Sequence, residues 1–165
     1  MAEKIATYGW AIQGVEGSPT NAQWAYTIGL VEHYGHPELV ITSVAFETAA
    51  WILHELVAGV SDGQPLQAGA RVVVANVRLE VVAVHPRQFD HGVFNSWFDQ
   101  YRAFRDCGME LSALQVLLPA EAFCEFHGHH QPRLDRPEQV LEYPDRNRAY
   151  RRAQLRREGR GRRRR

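Results

Sequence analysis

Three residues within one six-residue stretch, His33, His36 and Glu38, bring two imidazoles and a carboxylate to a turn marked by Gly35 and Pro37. General acid–base chemistry uses these types, because imidazole titrates near neutrality and a carboxylate can take up or orient its proton. Pro37 disfavours helical backbone at His36, so the group belongs to a loop. His36 and Glu38 are the candidate catalytic pair. The competing role is structural, with His36 capping or packing against the turn and Glu38 facing water.

A second candidate set lies just upstream. In 8–15 the large residues Tyr8, Trp10 and Ile12 alternate with Gly9 and Ala11, and in 23–30 Trp24, Tyr26, Ile28 and Leu30 alternate with Ala25, Thr27 and Gly29. Period-two alternation puts the small residues on one face of each strand. Gly9, Ala11, Ala25, Thr27 and Gly29 would form a shallow floor that a flat ring could approach. Trp10 and Tyr26 could stack on such a ligand, while Thr27 and the Gly29 amide bond it. These four are the candidate ligand-binding residues. The competing role for the floor is to receive the large side chains of a packed helix, which is how cores interlock.

Other clusters rank below these. Cys124, His127, His129 and His130 are zinc- or copper-ligating types. Their spacing is irregular and no further ligand is evident, so no metal is assigned. Asp90, near His85 and His91, reads as a helix cap. The phosphate-loop pattern Gly-x-x-x-x-Gly-Lys is absent, and Lys4 is the sole lysine.

The formal charge of zero conceals two opposite regions. Residues 1–132 hold six Lys/Arg against fourteen Asp/Glu, a net of −8, and residues 133–165 hold thirteen against five, a net of +8. From Arg146 onward eleven arginines stand against one glutamate, Glu158. Such a segment repels itself and buries little, so it is expected to be a disordered tail outside a domain spanning 1–145. Guanidinium groups could hold nucleic acid or another polyanion weakly, or fold back on the acidic body. At 165 residues and 45% apolar composition the chain suits one domain with a proper core. It offers no span of ~20 apolar residues and no signal-peptide layout, so a soluble, cytoplasmic protein is expected. Exposed aromatic patches would mark a homodimer.

Several elements must position these residues. The two alternating stretches flank Glu16–Asn21 turn chemistry and predict an antiparallel hairpin. A short strand follows at Leu39–Val44. Ala49, Ile52, Leu53, Leu56 and Val60 predict a helix over 46–60. The valine-rich 71–85 predicts either a hairpin turning at Asn76-Val77-Arg78 or one long bent strand. Phe94, Trp97, Phe98, Tyr101 and Phe104 predict a helix over 92–106, and Ala113–Leu118 a last strand.

Gly9-Trp10, Gln13-Gly14-Val15, Ala25-Tyr26-Thr27-Ile28-Gly29-Leu30, His36-Pro37-Glu38-Leu39 and Leu114-Gln115-Val116 together resemble a bacterial domain-of-unknown-function family, DUF4262. The resemblance covers about 8–119 and implies no catalytic residues. Leu118 stands where the family often has Trp, and the Gly-Arg-Phe-Pro-Trp run that would follow is missing. A fainter resemblance, of element order only, is to flavin reductase-type split barrels.

The expectation is an α+β domain: an antiparallel curved sheet or small open barrel of five to seven strands, two main packed helices, and a basic tail. Its expected function is binding a small molecule, flavin-like in the most concrete version, with cofactor and reaction unassigned. The alternative is a non-catalytic interaction or regulatory module whose tail binds polyanions.

Overall fold

The computed structural model describes residues 1–17, 22–102, 109–122, 131–139 and 141. Its elements are α1 (Ala2–Tyr8), β1 (Ala11–Val15), β2 (Trp24–Ile28), α2 (Leu30–Tyr34), β3 (Glu38–Thr42), α3 (Phe46–Ser61), β4 (Arg71–Val74), β5 (Val77–Ala83), α4 (Arg87–Asp90), α5 (Asn95–Gln100) and β6 (Ala113–Leu117), then a 3₁₀ turn at Ala120–Ala122. The fold is α+β. The six strands form one open sheet in the order β1-β2-β3-β6-β5-β4. Every pairing is antiparallel except β3–β6, where Glu38 lies beside Ala113 and Val40 beside Gln115 in parallel.

The sheet is covered on both faces, each by a different kind of layer. On one face α3 lays Ile52, Leu53, Leu56 and Val57 against Ala25, Leu39, Ile41, Leu79, Val81 and Val116. At about 2 kcal/mol for each buried aliphatic side chain, those four helix residues supply a gross stabilisation on the order of 8 kcal/mol, an upper estimate. On the other face Phe94, Trp97 and Tyr101 pack with Trp24, Tyr26, Ile28 and Val40. The expected small-residue floor is not one face: Ala25 lies under α3, whereas Ala11 pairs with Ile28 and packs in the aromatic layer.

Local chemistry explains where the elements depart from the sequence pattern. The expected strand 8–15 starts only at Ala11, because α1 precedes it and ends on Gly9 in the left-handed region (φ 79°). The strand expected to reach Leu30 stops at Ile28, where Gly29 (φ 119°) turns the chain into α2. A Cβ on Gly29 would run into the Gly9 carbonyl oxygen, so the close approach of these two loops requires glycine. The β4–β5 turn is Ala75-Asn76, both at positive φ (45° and 67°), as a two-residue hairpin turn demands. Of the helix expected over 92–106 only Asn95–Gln100 is helical in α5, 92–94 form a turn, and 103–108 lie outside the described residues. So do Cys107, the Cys124–His130 run and the arginine-rich segment.

Residues 131–139 run beside β6, held chiefly by glutamine amides. Gln115 accepts from Leu134 N at 2.7 Å and donates to Pro132 O at 2.7 Å. Gln131 bonds both Leu118 N and Val116 O, and Gln88 donates to Gln139 O at 2.9 Å.

Candidate functional site

Glu38 opens β3 and is wholly buried. Its Oε1 accepts from Gly29 N at 2.8 Å, Trp97 Nε1 at 3.1 Å and Val31 N at 3.4 Å. Its Oε2 accepts from the Thr27 hydroxyl at 2.7 Å and Leu30 N at 3.3 Å. The β2–β3 ladder ends at Tyr26–Val40. Beyond it, Thr27 Oγ1 takes the Leu39 N–H at 2.8 Å, so hydroxyl and carboxylate continue the strand pairing in place of backbone rungs. Burial pushes the Glu38 carboxyl above its usual range, and the surrounding donors pull it back. All five groups facing it are donors and favour the ionised form, but burial is the larger effect and the pKa is raised overall. The free N–H groups at the start of α2 are thereby satisfied by a side chain from the next strand.

Tyr101 packs against the indole of Trp97, ring centroids 4.7 Å apart. Burial and the neighbouring Glu32 carboxylate, with Glu38 behind it, hold its phenol well above the ordinary value. This corner of the core concentrates negative charge and its donors.

His36 stands at the other side of the turn. Its Nδ1 lies 2.6 Å from the Pro37 carbonyl and its Nε2 lies 2.9 Å from Leu66 N. The Leu66 amide must donate, so Nε2 accepts and the ring proton sits on Nδ1. Burial lowers the His36 pKa below its usual 6.5. The bond to Leu66 ties the loop after α3 to the entrance of β3. Above it opens a cleft of about 600 Å³, lined by Tyr34, His36, Val60, Leu66, Gln67 and Leu114 among others.

The expected site residues therefore separate. Thr27, Gly29 and Glu38 join in one buried network, His36 borders the cleft, and His33 is exposed beside Glu32 at 3.5 Å. None of the bonds of Glu38 runs to His36. Trp10 lies on the α3 face, its ring edge-on to His54 at 4.7 Å. Tyr26 lies on the opposite face, against Phe94, with its hydroxyl accepting from Ser96 N at 3.1 Å. A single flat ligand does not reach both rings.

Sequence reasoning put Trp97 on a helix without linking it to Glu38, and passed over Tyr34 and the loop around Leu66. Trp97 carried a usable signal, since a buried indole N–H needs an acceptor and few are present. Leu66 carried none: its amide, not its side chain, makes the contact.

The chain matches the family described as "Domain of unknown function (DUF4262)" over residues 4–122. That is well over half its length. The chain belongs to the DUF4262 family. No curated protein matches it, and no solved structure matches it. The DUF4262 region contains the whole Glu38 network and every lining residue of the His36 cleft, whereas the glutamine-bound segment 131–139 follows it. Among the described residues of this DUF4262 protein, no group of three or more His, Cys, Asp and Glu is arranged to hold a metal ion. No described helix is long and apolar enough to cross a membrane.

Proposed function

We propose that this domain binds a small uncharged molecule in the cleft over His36. The observation that carries the reading is the cleft itself: about 600 Å³, within the usual size of ligand sites, and lined by one imidazole, one phenol, one side-chain amide, backbone and apolar groups, with no carboxylate, lysine or arginine. Tyr34 supplies the stacking ring there, in place of Trp10 or Tyr26. The Thr27–Glu38 network acts from below, by fixing α2 and the turn that carries Tyr34 and His36. Glu38 is thus a positioning residue in this reading, and His36 recognises ligand or holds the rim. Both nitrogens of His36 are engaged, so no proton transfer is assigned.

A neutral flavin is the most concrete probe, because the lining offers no cation for a flavin phosphate. The native mass of the purified chain should exceed its denatured mass by that of a bound organic molecule, or riboflavin should bind when added. Ala68→Trp, at an exposed lining position, should abolish either effect without unfolding the chain. Equal native and denatured masses with no response to riboflavin would remove the flavin version. Ligand retained by Ala68→Trp would remove the cleft.

The second reading is a non-catalytic interaction module. It is favoured by the exposed rings of Phe46 and Trp51 on the outward side of α3.

A further inference from the structure

Helix α3 buries one stripe and presents a different chemistry outward. Glu47, Trp51 and Glu55 follow one another at four-residue spacing, which places them along one exposed ridge. Trp51 is 46% exposed, and so is Phe46 at the start of the helix, whose ring covers Gly14. Beside Phe46 a second cleft, of about 400 Å³, is bordered by Glu16, Trp24 and Glu47. Two open aromatic rings interleaved with three carboxylates suit one chemistry best. A guanidinium stacks flat on an indole or phenyl face while its fork meets carboxylate oxygens.

The described structure supplies no such cation. Helix α3 has no lysine or arginine, and Lys4 is the only basic Lys/Arg residue before Arg71. Among the described residues, Glu16, Glu47 and Glu55 enter no ion pair. The same chain carries eleven arginines in 146–165. Leu141, buried in the aromatic layer, is the last described residue, and twenty-four residues follow it. At about 3.4 Å per extended residue they span up to ~80 Å, against a domain diameter of roughly 40 Å. Length therefore permits the segment to reach α3 from any side.

We infer that the outward ridge of α3, with the cleft at its start, docks the chain's own arginine-rich segment 146–165. The acidic body is the segment's first polyanion, and an external polyanion binds by displacing it. This interaction does not depend on the cleft over His36.

The test uses the full chain with a photoreactive benzoylphenylalanine in place of Trp51, irradiated in dilute solution at low ionic strength. The expected adduct joins position 51 to a residue within 146–165, in a species of monomer mass. It should vanish in 1 M salt, where the Debye length is about 3 Å. An adduct to a second copy, to any site in 1–141, or none from a folded chain would overturn the inference. A second measurement leaves Trp51 intact. Trypsin should cut the arginines of 146–165 about fivefold more slowly in the wild type than in Glu16→Gln/Glu47→Gln/Glu55→Gln at low salt, the size expected of a few exposed ion pairs acting together. All three substitutions are at exposed positions, so folding is preserved and circular dichroism verifies it. Equal cleavage rates would also overturn the inference.

Discussion

Trp97 donates its indole N–H to Glu38 Oε1 at 3.1 Å, a buried bond between residues 59 positions apart. It joins the aromatic layer of one sheet face to the strand that carries the candidate site. Because the same carboxylate holds the first amides of α2, the position of α5 and the geometry of the turn at His36 are mechanically linked.

Trp97→Phe keeps an aromatic ring in place and removes that one donor. A bond to a carboxylate is worth about 1.5–3 kcal/mol, so a loss of about 2 kcal/mol is expected in urea unfolding. Glu38→Ala should cost more, since it strands the other four donors as well. The two changes should be coupled by about 1 kcal/mol or more in a double-mutant cycle. Strict additivity would show that the bond contributes nothing.

Two buried groups titrate in opposite senses. The His36 pKa is lowered in the fold, so its contribution is fully present above 6.5 and is lost as pH falls through the lowered value. The Glu38 pKa is raised, so its contribution is present below 4.5 and is lost as pH rises through the raised value. Protonation of His36 at Nε2 also breaks its bond to Leu66. Unfolding free energies measured from pH 4 to 8 should show His36→Asn flattening the acid-side loss and Glu38→Gln flattening the opposite one. Unchanged slopes in either variant would remove that assignment.

Gly29 and Gly35 both have positive φ, 119° and 59°, and should respond differently to alanine. A side chain at Gly35 meets open space, so Gly35→Ala costs only the left-handed penalty of about 1 kcal/mol. At Gly29 the added carbon collides with the Gly9 carbonyl, so Gly29→Ala should cost about 3 kcal/mol or prevent folding. Thermal unfolding of the two variants side by side checks this. Gly29 is accordingly a poor site for testing ligand binding.

Ala75 occupies the first position of the β4–β5 turn at φ 45°. Ala75→Gly should relieve that strain and stabilise the chain by about 0.5–1 kcal/mol, read as a higher urea midpoint at unchanged slope. A lower midpoint would mean that the greater freedom of glycine in the unfolded chain outweighs the relief.

The sequence alone determined the local elements whose causes are local. Helical spacing in 46–60 and the apolar run 113–118 specify α3 and β6, because burial of this kind is written in neighbouring residues. Alternation in 71–85 leaves a hairpin and one long bent strand both open, and the fold turns at Ala75-Asn76. It also determined the family, through short blocks that survive as contiguous text, and the division into acidic body and arginine-rich end. Only the tertiary structure decided that β6 enters between β3 and β5 and pairs parallel with β3. Only it placed Trp10 and Tyr26 on opposite faces, since the β1–β2 register pairs Ala11 with Ile28 and so turns Ile12 and the preceding Trp10 toward α3. The fate of Glu38 was equally unreadable. In sequence it is an acid beside a histidine. In the fold it is the acceptor for five donors from β2, α2 and α5, and a residue's partners across such separations are set by the packing of the whole chain.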